Sequence, residues 1–307
     1  MTNVALIFPG QGAQRIGMGR EFYDASPEAR KIFDQAELII GSGFKQIIFE
    51  GPQEKLTSTA YCQPAILTMS IAALKAFEAH SKFKNVRIRY AAGLSLGEYS
   101  ALASAGVLSF EETLKLVVKR AAFMEEATKQ AKGAMAAVIG FDAAKLKEIC
   151  QQTGAEVANF NSKEQIVITG HADKVAAACE LIKTAGAKTA IPLEVSGAFH
   201  STLMRPAAVK FEQAVGSVVI TPGALQVISN VNALPHTEVD QIRRNLVAQI
   251  TSSVQWVASV EYMMSQGVSD FIEIGPGKVL RGLIRKIDAN ARVVNIEKPD
   301  DILALSF

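Results

Sequence analysis

Three times the chain runs a short apolar segment into a glycine-rich turn. Val4-Ala-Leu-Ile-Phe8 ends in Pro9-Gly10-Gln11-Gly12, and Val86 to Ala92 ends in Gly93-Leu94-Ser95-Leu96-Gly97 before a helical pattern from Glu98. Phe271-Ile-Glu-Ile274 ends in Gly275-Pro276-Gly277, ahead of a helical pattern carrying Val279, Leu280, Leu283 and Ile284. Continuous apolar runs suit strands buried on both faces, and glycine supplies the sharp passage from strand to helix. Repeated, this order predicts a parallel α/β sheet with its loops gathered at the C-terminal edge, where such sheets bind ligands.

Between Gly133 and Val195 the pattern changes. Strands are expected over Ala134–Ile139, Val157–Phe160, Gln165–Thr169 and Lys188–Val195, and helices over Asp142–Gln151 and Ala172–Ala185. The order βαββαβ is that of a ferredoxin-like unit. The expected organisation is an α/β core formed by residues 1–127 and 197–307, with a ferredoxin-like subdomain, 128–196, inserted in it.

Composition narrows the function classes. The 307 residues are 49% hydrophobic and 20% charged, which suits a folded globular chain, and the formal net charge of +2 gives no global field for nucleic acid. Cys62, Cys150 and Cys179 form no C-x-x-C pair, so a reduced cytoplasmic compartment is expected. The four histidines stand apart from one another, and no zinc-type cluster is visible. Met1 to Gly10 has no secretory pattern, and the apolar stretch Pro64–Leu74 is too short to cross a bilayer.

Gly93-Leu94-Ser95-Leu96-Gly97 reads G-x-S-x-G between a strand and a helix. A nucleophile turn needs strained backbone at the serine and small neighbours where strand and helix approach, which the glycines supply. The alternative is an ordinary β–α turn whose serine caps the helix. A serine nucleophile needs a base. His80, His171 and His236 are expected at a solvated helix end, beyond a strand and in a polar loop. Only His200, in Gly197-Ala198-Phe199-His200-Ser201, follows an apolar strand in a loop of small residues. No carboxylate stands out as its orienter.

Ser109-Phe110-Glu111-Glu112 is a capping-box pattern opening a helix, and along it Arg120 has Leu116, Val117, Phe123 and Met124 as its i±3 and i±4 neighbours. A guanidinium among apolar side chains needs an anion. An internal Asp or Glu would serve, and so would a substrate carboxylate held bidentately.

Taken together, Ile7-Phe-Pro-Gly-Gln-Gly12, Gly93-Leu-Ser-Leu-Gly-Glu-Tyr99, Arg120, Gly197-Ala-Phe-His-Ser201 and Ile274-Gly-Pro-Gly277 resemble the malonyl-CoA:acyl carrier protein transacylase family over nearly the whole chain. The resemblance implies an α/β-hydrolase-like core with a ferredoxin-like insert. It also implies ping-pong transfer of malonyl from coenzyme A to acyl carrier protein through Ser95, with His200 as general base. By the same resemblance, the backbone N–H groups of Gln11 and Leu96 form the oxyanion hole and the main-chain carbonyl of Gln249 orients the histidine. Arg120 clamps the malonyl carboxylate, Phe199 and Met124 shape the acyl pocket, and Gln63 and Asn161 line it. Phe199 before the histidine goes with malonyl rather than methylmalonyl. The family commonly places histidine where Leu94 stands, so any polar contact of that histidine is missing here.

Neither metal nor bound cofactor is implied, and a monomer is expected. The carrier protein of this family is acidic, and Lys278, Arg281, Arg285 and Lys286 lie along one side of a helix where it could dock. Lys82, Lys84, Arg87 and Arg89 form a second basic run. Fatty-acid and polyketide pathways both employ such an enzyme. An α/β-hydrolase-type esterase or thioesterase shares G-x-S-x-G but usually has an Asp or Glu orienter between Ser and His and an HGGG-type loop, where this sequence instead has Gly10-Gln-Gly12 and Arg120. A nucleotide-binding module built on Gly10-x-Gly12 lacks both G-x-G-x-x-G and a Walker lysine.

Overall fold

A computed structural model describes residues 3–305. Among these residues nine strands run in chain order as β1 (Asn3–Phe8), β2 (Arg87–Gly93), β3 (Gly133–Ile139), β4 (Glu156–Phe160), β5 (Gln165–His171), β6 (Thr189–Pro192), β7 (Gln226–Val227), β8 (Val268–Ile274) and β9 (Arg292–Ile296). They form two sheets, ordered β7-β2-β1-β8-β9 and β4-β5-β3-β6.

The first sheet is parallel throughout, and its three middle strands are the apolar runs that end in glycine turns. Side chains alternate across it. Val4, Leu6 and Phe8 of β1 enter one apolar cluster, while Ala5 and Ile7 enter another on the opposite face. A strand buried on both sides cannot alternate apolar with polar, which is why β1 reads as an unbroken apolar run. The edge strands β7 and β9 carry no glycine turn and were not foreseen.

The second sheet is the expected βαββαβ unit. All its pairings are antiparallel, and the order β4-β5-β3-β6 is the ferredoxin-like one. The helices Ala143–Thr153 and Ala172–Thr184 bury Leu146, Cys150, Val175, Cys179 and Ile182 against Ala136, Val138, Ile166 and Ile168 on one face. From the other face Met135 and Val167 join the large core cluster, so this sheet roofs the C-terminal edge of the first. Val254 ties the two together, its N–H donating to the Ala158 carbonyl at 2.8 Å and its carbonyl accepting from Phe160 N–H at 2.9 Å. β6 ends at Pro192, short of the Val195 expected, although Leu193 N–H beyond it still reaches the Met135 carbonyl of β3 at 2.9 Å.

The passage from β2 into the helix Leu96–Ser104 is tight. A Cβ on Gly93 would collide with the backbone of Gly97, and one on Gly97 with the carbonyl of Phe8 in β1. Strand and helix therefore approach as closely as two backbones can. Gly97→Ala is expected to lower stability by about 1–3 kcal/mol, the usual range for overpacking. Gly282→Ala is the control: an added Cβ meets nothing within 4 Å there, and alanine should stabilise that helix by up to about 1 kcal/mol. Thermal unfolding of both variants reads the difference.

Candidate active site

Ser95 sits between β2 and the helix Leu96–Ser104 with φ 54° and ψ −103°, a conformation that L-residues rarely adopt. Two clamps hold it. Its N–H donates to Asn230 Oδ1 at 2.6 Å, and its carbonyl accepts from Gln249 Nε2 at 3.1 Å. The backbone strain raises Oγ above the sheet edge, as in a nucleophile elbow.

His200 is buried, and it too has a positive φ, 58°. The loop around it is pinned by Ser201 Oγ donating to the Ala198 carbonyl at 2.6 Å and by Thr169 Oγ1 donating to the Phe199 carbonyl at 2.9 Å. His200 Nε2 lies 2.8 Å from Ser95 Oγ, and Nδ1 lies 2.8 Å from the carbonyl of Gln249. A carbonyl only accepts, so Nδ1 carries the proton and Nε2 accepts from the serine hydroxyl. Gln249 ends the helix Val239–Gln249, where carbonyls lack intrahelical partners and the helix presents its negative pole. That carbonyl takes the place of the carboxylate usual in serine triads. Burial, with the Arg120 charge second, pushes the His200 pKa down to about 4. The imidazole is therefore an uncharged base at neutral pH.

Arg120 is 1% exposed, as its apolar neighbours predicted, and the internal ion pair left open by the sequence is not formed: no Asp or Glu among the described residues bonds it. Nη1 donates to Gln63 Oε1 at 2.7 Å, while Nη2 donates to Gln249 Oε1 at 3.0 Å and to Ser95 Oγ at 3.0 Å. The guanidinium lies over the Tyr99 ring with its carbon 5.1 Å from the centroid, and Nε has no partner. Burial pulls its pKa below the ordinary arginine value.

A pocket of about 230 Å³ opens over Ser95. Gln11, Gln63, Leu96, Arg120, Met124, Asn161, Phe199 and His200 all line it, and Gln249 stands behind them. Gln63 also reaches the Met124 sulfur at 3.7 Å. Asn161 Oδ1 is buried and unpartnered beside the cavity. The N–H groups of Gln11 and Leu96 make no backbone bond among the described residues. Leu94 lines the same pocket with Val279 and Leu283, giving an apolar wall where the histidine common in the resembling family would stand.

Three participants were missed. His236, expected in a polar loop, has a side chain only 2% exposed and bonds Glu98 Oε1 at 2.8 Å. Glu98 itself is fully buried three residues after Ser95, and no carboxylate had been expected behind the site. Asn230 lies in a loop without any local pattern. A glutamate in the first turn of a helix reads as an ordinary N-terminal charge, so the sequence carried no signal that it was enclosed. The run Lys82–Arg89 is elsewhere. Lys82 Nζ donates to the carbonyls of Leu303 and Leu305, and Arg87 and Arg89 lie at the start of β2, far from the Ser95 end.

The depressed basicity of His200 is directly measurable. By NMR its imidazole should titrate near pH 4, and Arg120→Gln should move it upward by removing the neighbouring cation. The sign for stability follows. An unfolded histidine binds its proton near pH 6.5 while the folded one refuses it until about 4. Stability from this group is complete above about 6.5 and is lost as pH falls toward 4.

The acyl transferase domain family matches residues 5–298. The malonyl CoA-acyl carrier protein transacylase of Bacillus subtilis (strain 168) is 45% identical, over 98% of this chain and 96% of its own. Among solved structures, an acyl-carrier-protein-S-malonyltransferase from Bartonella henselae superposes with a TM-score of 0.94 at 38% identity, covering 98% of both chains. A malonyl-transacylase in complex with its type II PKS acyl-carrier protein does so with a TM-score of 0.94 at 34% identity, covering 99% of this chain and 98% of its own. The chain belongs to the acyl transferase domain family and, within it, to the malonyl CoA-acyl carrier protein transacylases.

Proposed function

We propose that this protein carries malonyl from malonyl-CoA to the phosphopantetheine thiol of acyl carrier protein, through a malonyl ester on Ser95, for fatty-acid synthesis. The observation that carries this reading is Arg120, a buried cation with no carboxylate partner and one N–H 3.0 Å from Ser95 Oγ. In a malonyl thioester a single methylene separates the reacting carbonyl from the free carboxylate. The group that holds that carboxylate must therefore stand directly beside the nucleophile, as Arg120 does.

In the first half-reaction His200 Nε2 takes the Ser95 proton as Oγ attacks the thioester carbonyl. The tetrahedral oxyanion is received by the N–H groups of Gln11 and Leu96. Collapse expels the coenzyme A thiolate, which takes the proton from His200. In the second half His200 deprotonates the carrier thiol, the thiolate attacks the ester, and Ser95 recovers its proton. Arg120 acts on the base as well. A bound carboxylate draws Nη2 away from Ser95 Oγ and offsets the cation that lowers His200 basicity, so the substrate assists its own acylation. An acetyl group offers neither effect. Thioesters are already activated, so this chemistry needs no metal or cofactor. The three cysteines, all free and buried, support a reducing, cytoplasmic setting.

Intact-protein mass spectrometry tests the reading. Malonyl-CoA should add one malonyl group to the protein and none to Ser95→Ala; an adduct on that variant overturns it. Arg120→Ala should lose malonyl transfer by about 10⁴-fold, the scale at which buried unpaired polar groups discriminate, and acetyl transfer far less.

The helix Val279–Ile287 supports a docking site for an acidic carrier. It follows β8 at the Ser95 edge of the sheet, Val279 and Leu283 line the pocket, and Lys278, Arg285 and Lys286 are exposed, with Arg281 half-buried between them. Reversing charge at Lys278 and Arg281 should raise KM for the carrier about tenfold and leave KM for malonyl-CoA unchanged. A polyketide pathway is the second reading, supported by the relative bound to a type II PKS carrier. Parallel assays with carriers of both pathways decide between them.

A further inference from the structure

Behind the Ser95–His200 pair lies a carboxylate that touches neither. Glu98 is 0% exposed, and all three of its partners are nitrogens. Oε2 accepts from Gln249 Nε2 at 2.6 Å and from the Asn230 backbone N–H at 3.1 Å, while Oε1 meets His236 Nε2 at 2.8 Å. Each of the two amide residues it holds reaches forward into the site. Asn230 accepts from Ser95 N–H and donates from Nδ2 to the Gly93 carbonyl at 2.7 Å, gripping both sides of the elbow. Gln249 donates to the Ser95 carbonyl, accepts from Arg120 through its side chain, and accepts from His200 through its main chain.

The direction of the Gln249 amide follows from this arrangement. An amide can turn either end toward a neighbour, but a carboxylate only accepts. Glu98 and the Ser95 carbonyl both take Nε2, at 2.6 and 3.1 Å, and Arg120, which only donates, takes Oε1 at 3.0 Å, so all three neighbours hold the amide in one direction. A neutral residue at 98 would weaken the shortest of these three bonds and loosen the amide between Arg120 and Ser95. The negative charge is thus held one amide away from Arg120, near enough to compensate a buried cation and too far to occupy the place of a substrate carboxylate.

We propose that Glu98 is the positioning carboxylate of this site, bracing the Gln249 amide and anchoring Asn230 so that Ser95, His200 and Arg120 keep their reactive geometry. It acts through Gln249 and Asn230, without touching Ser95, His200 or Arg120. This inference rests on Ser95 acylation as proposed above. The parent enzyme's own malonyl-Ser95 burst tests that reading separately from the variants.

The experiment is rapid-quench measurement of malonyl-enzyme formation across a range of malonyl-CoA concentrations, on the parent and on Glu98→Gln, which keeps the shape and removes the charge. The saturating acylation rate should fall at least tenfold, with the half-saturating concentration within threefold of the parent and the folded fraction at assay temperature unchanged by circular dichroism. A merely structural Glu98 would change the folded fraction and leave the rate per folded molecule intact. A folded Glu98→Gln variant that acylates within twofold of the parent overturns the proposal. If that variant does not fold, Asn230→Ala removes only the grip on the elbow that Glu98 anchors. A tenfold loss of saturating rate at unchanged half-saturation is again expected, and an unchanged rate overturns the proposal.

Discussion

A guanidinium enclosed in protein without a carboxylate in contact is costly, because burial removes the water that stabilises its charge. The site of this protein is arranged around that cost. Arg120 keeps three hydrogen bonds to neutral oxygens, from Gln63, Gln249 and Ser95, and a π face from Tyr99. Each of these neighbours offers partial negative charge, and none is an anion. The nearest carboxylate, Glu98, stands one amide further back, so no anion touches the guanidinium among the described residues. In the proposed reaction selectivity and reactivity would share a single cause, since the cation that meets the malonyl carboxylate also bonds Ser95 Oγ and lowers the basicity of His200.

Strained backbone is the second element. Ser95 and His200 both occupy positive φ, at a cost of order 1–3 kcal/mol each. These conformations persist because the surroundings hold them from several sides. Glycine contacts leave the elbow no room to relax, Asn230 and Gln249 grip its amide and carbonyl, and the Ser201 and Thr169 hydroxyls close the histidine loop. The main-chain carbonyl of a helix end then suffices to orient His200, because a rigid acceptor at 2.8 Å needs no formal charge to choose a tautomer.

Legibility in the sequence followed the locality of each signal. The parallel sheet showed itself because three buried strands run directly into glycine turns, and the inserted sheet because its βαββαβ order is contiguous. The edge strands β7 and β9 escaped notice, being short or lacking a turn signature. Ser95 and His200 lie in small-residue loops at strand ends, and Arg120 stands out against its apolar helix face, so all three were visible. Their common pocket fits the roles that the family resemblance implied. The burial of Glu98 and His236 was invisible, since a glutamate in a first helical turn and a histidine after proline are ordinary surface patterns. Their partnership joins positions 138 apart, with nothing in either neighbourhood to announce it.

The central strands, the inserted unit, the candidate Ser95 and His200 and the burial of Arg120 could be read along the chain, because hydrophobic periodicity, turn chemistry and a charge on an apolar face are properties of neighbouring residues. Only the tertiary structure decided what the cation faces. An Asp or Glu partner and an anion-seeking guanidinium look identical in one dimension. The difference arises when the elbow, the Phe110–Thr128 helix and the end of the Val239–Gln249 helix converge, placing amides around Arg120 and Glu98 one amide further back. Electrostatic pairing depends on distance in space, and that distance is set by packing among segments far apart in the chain.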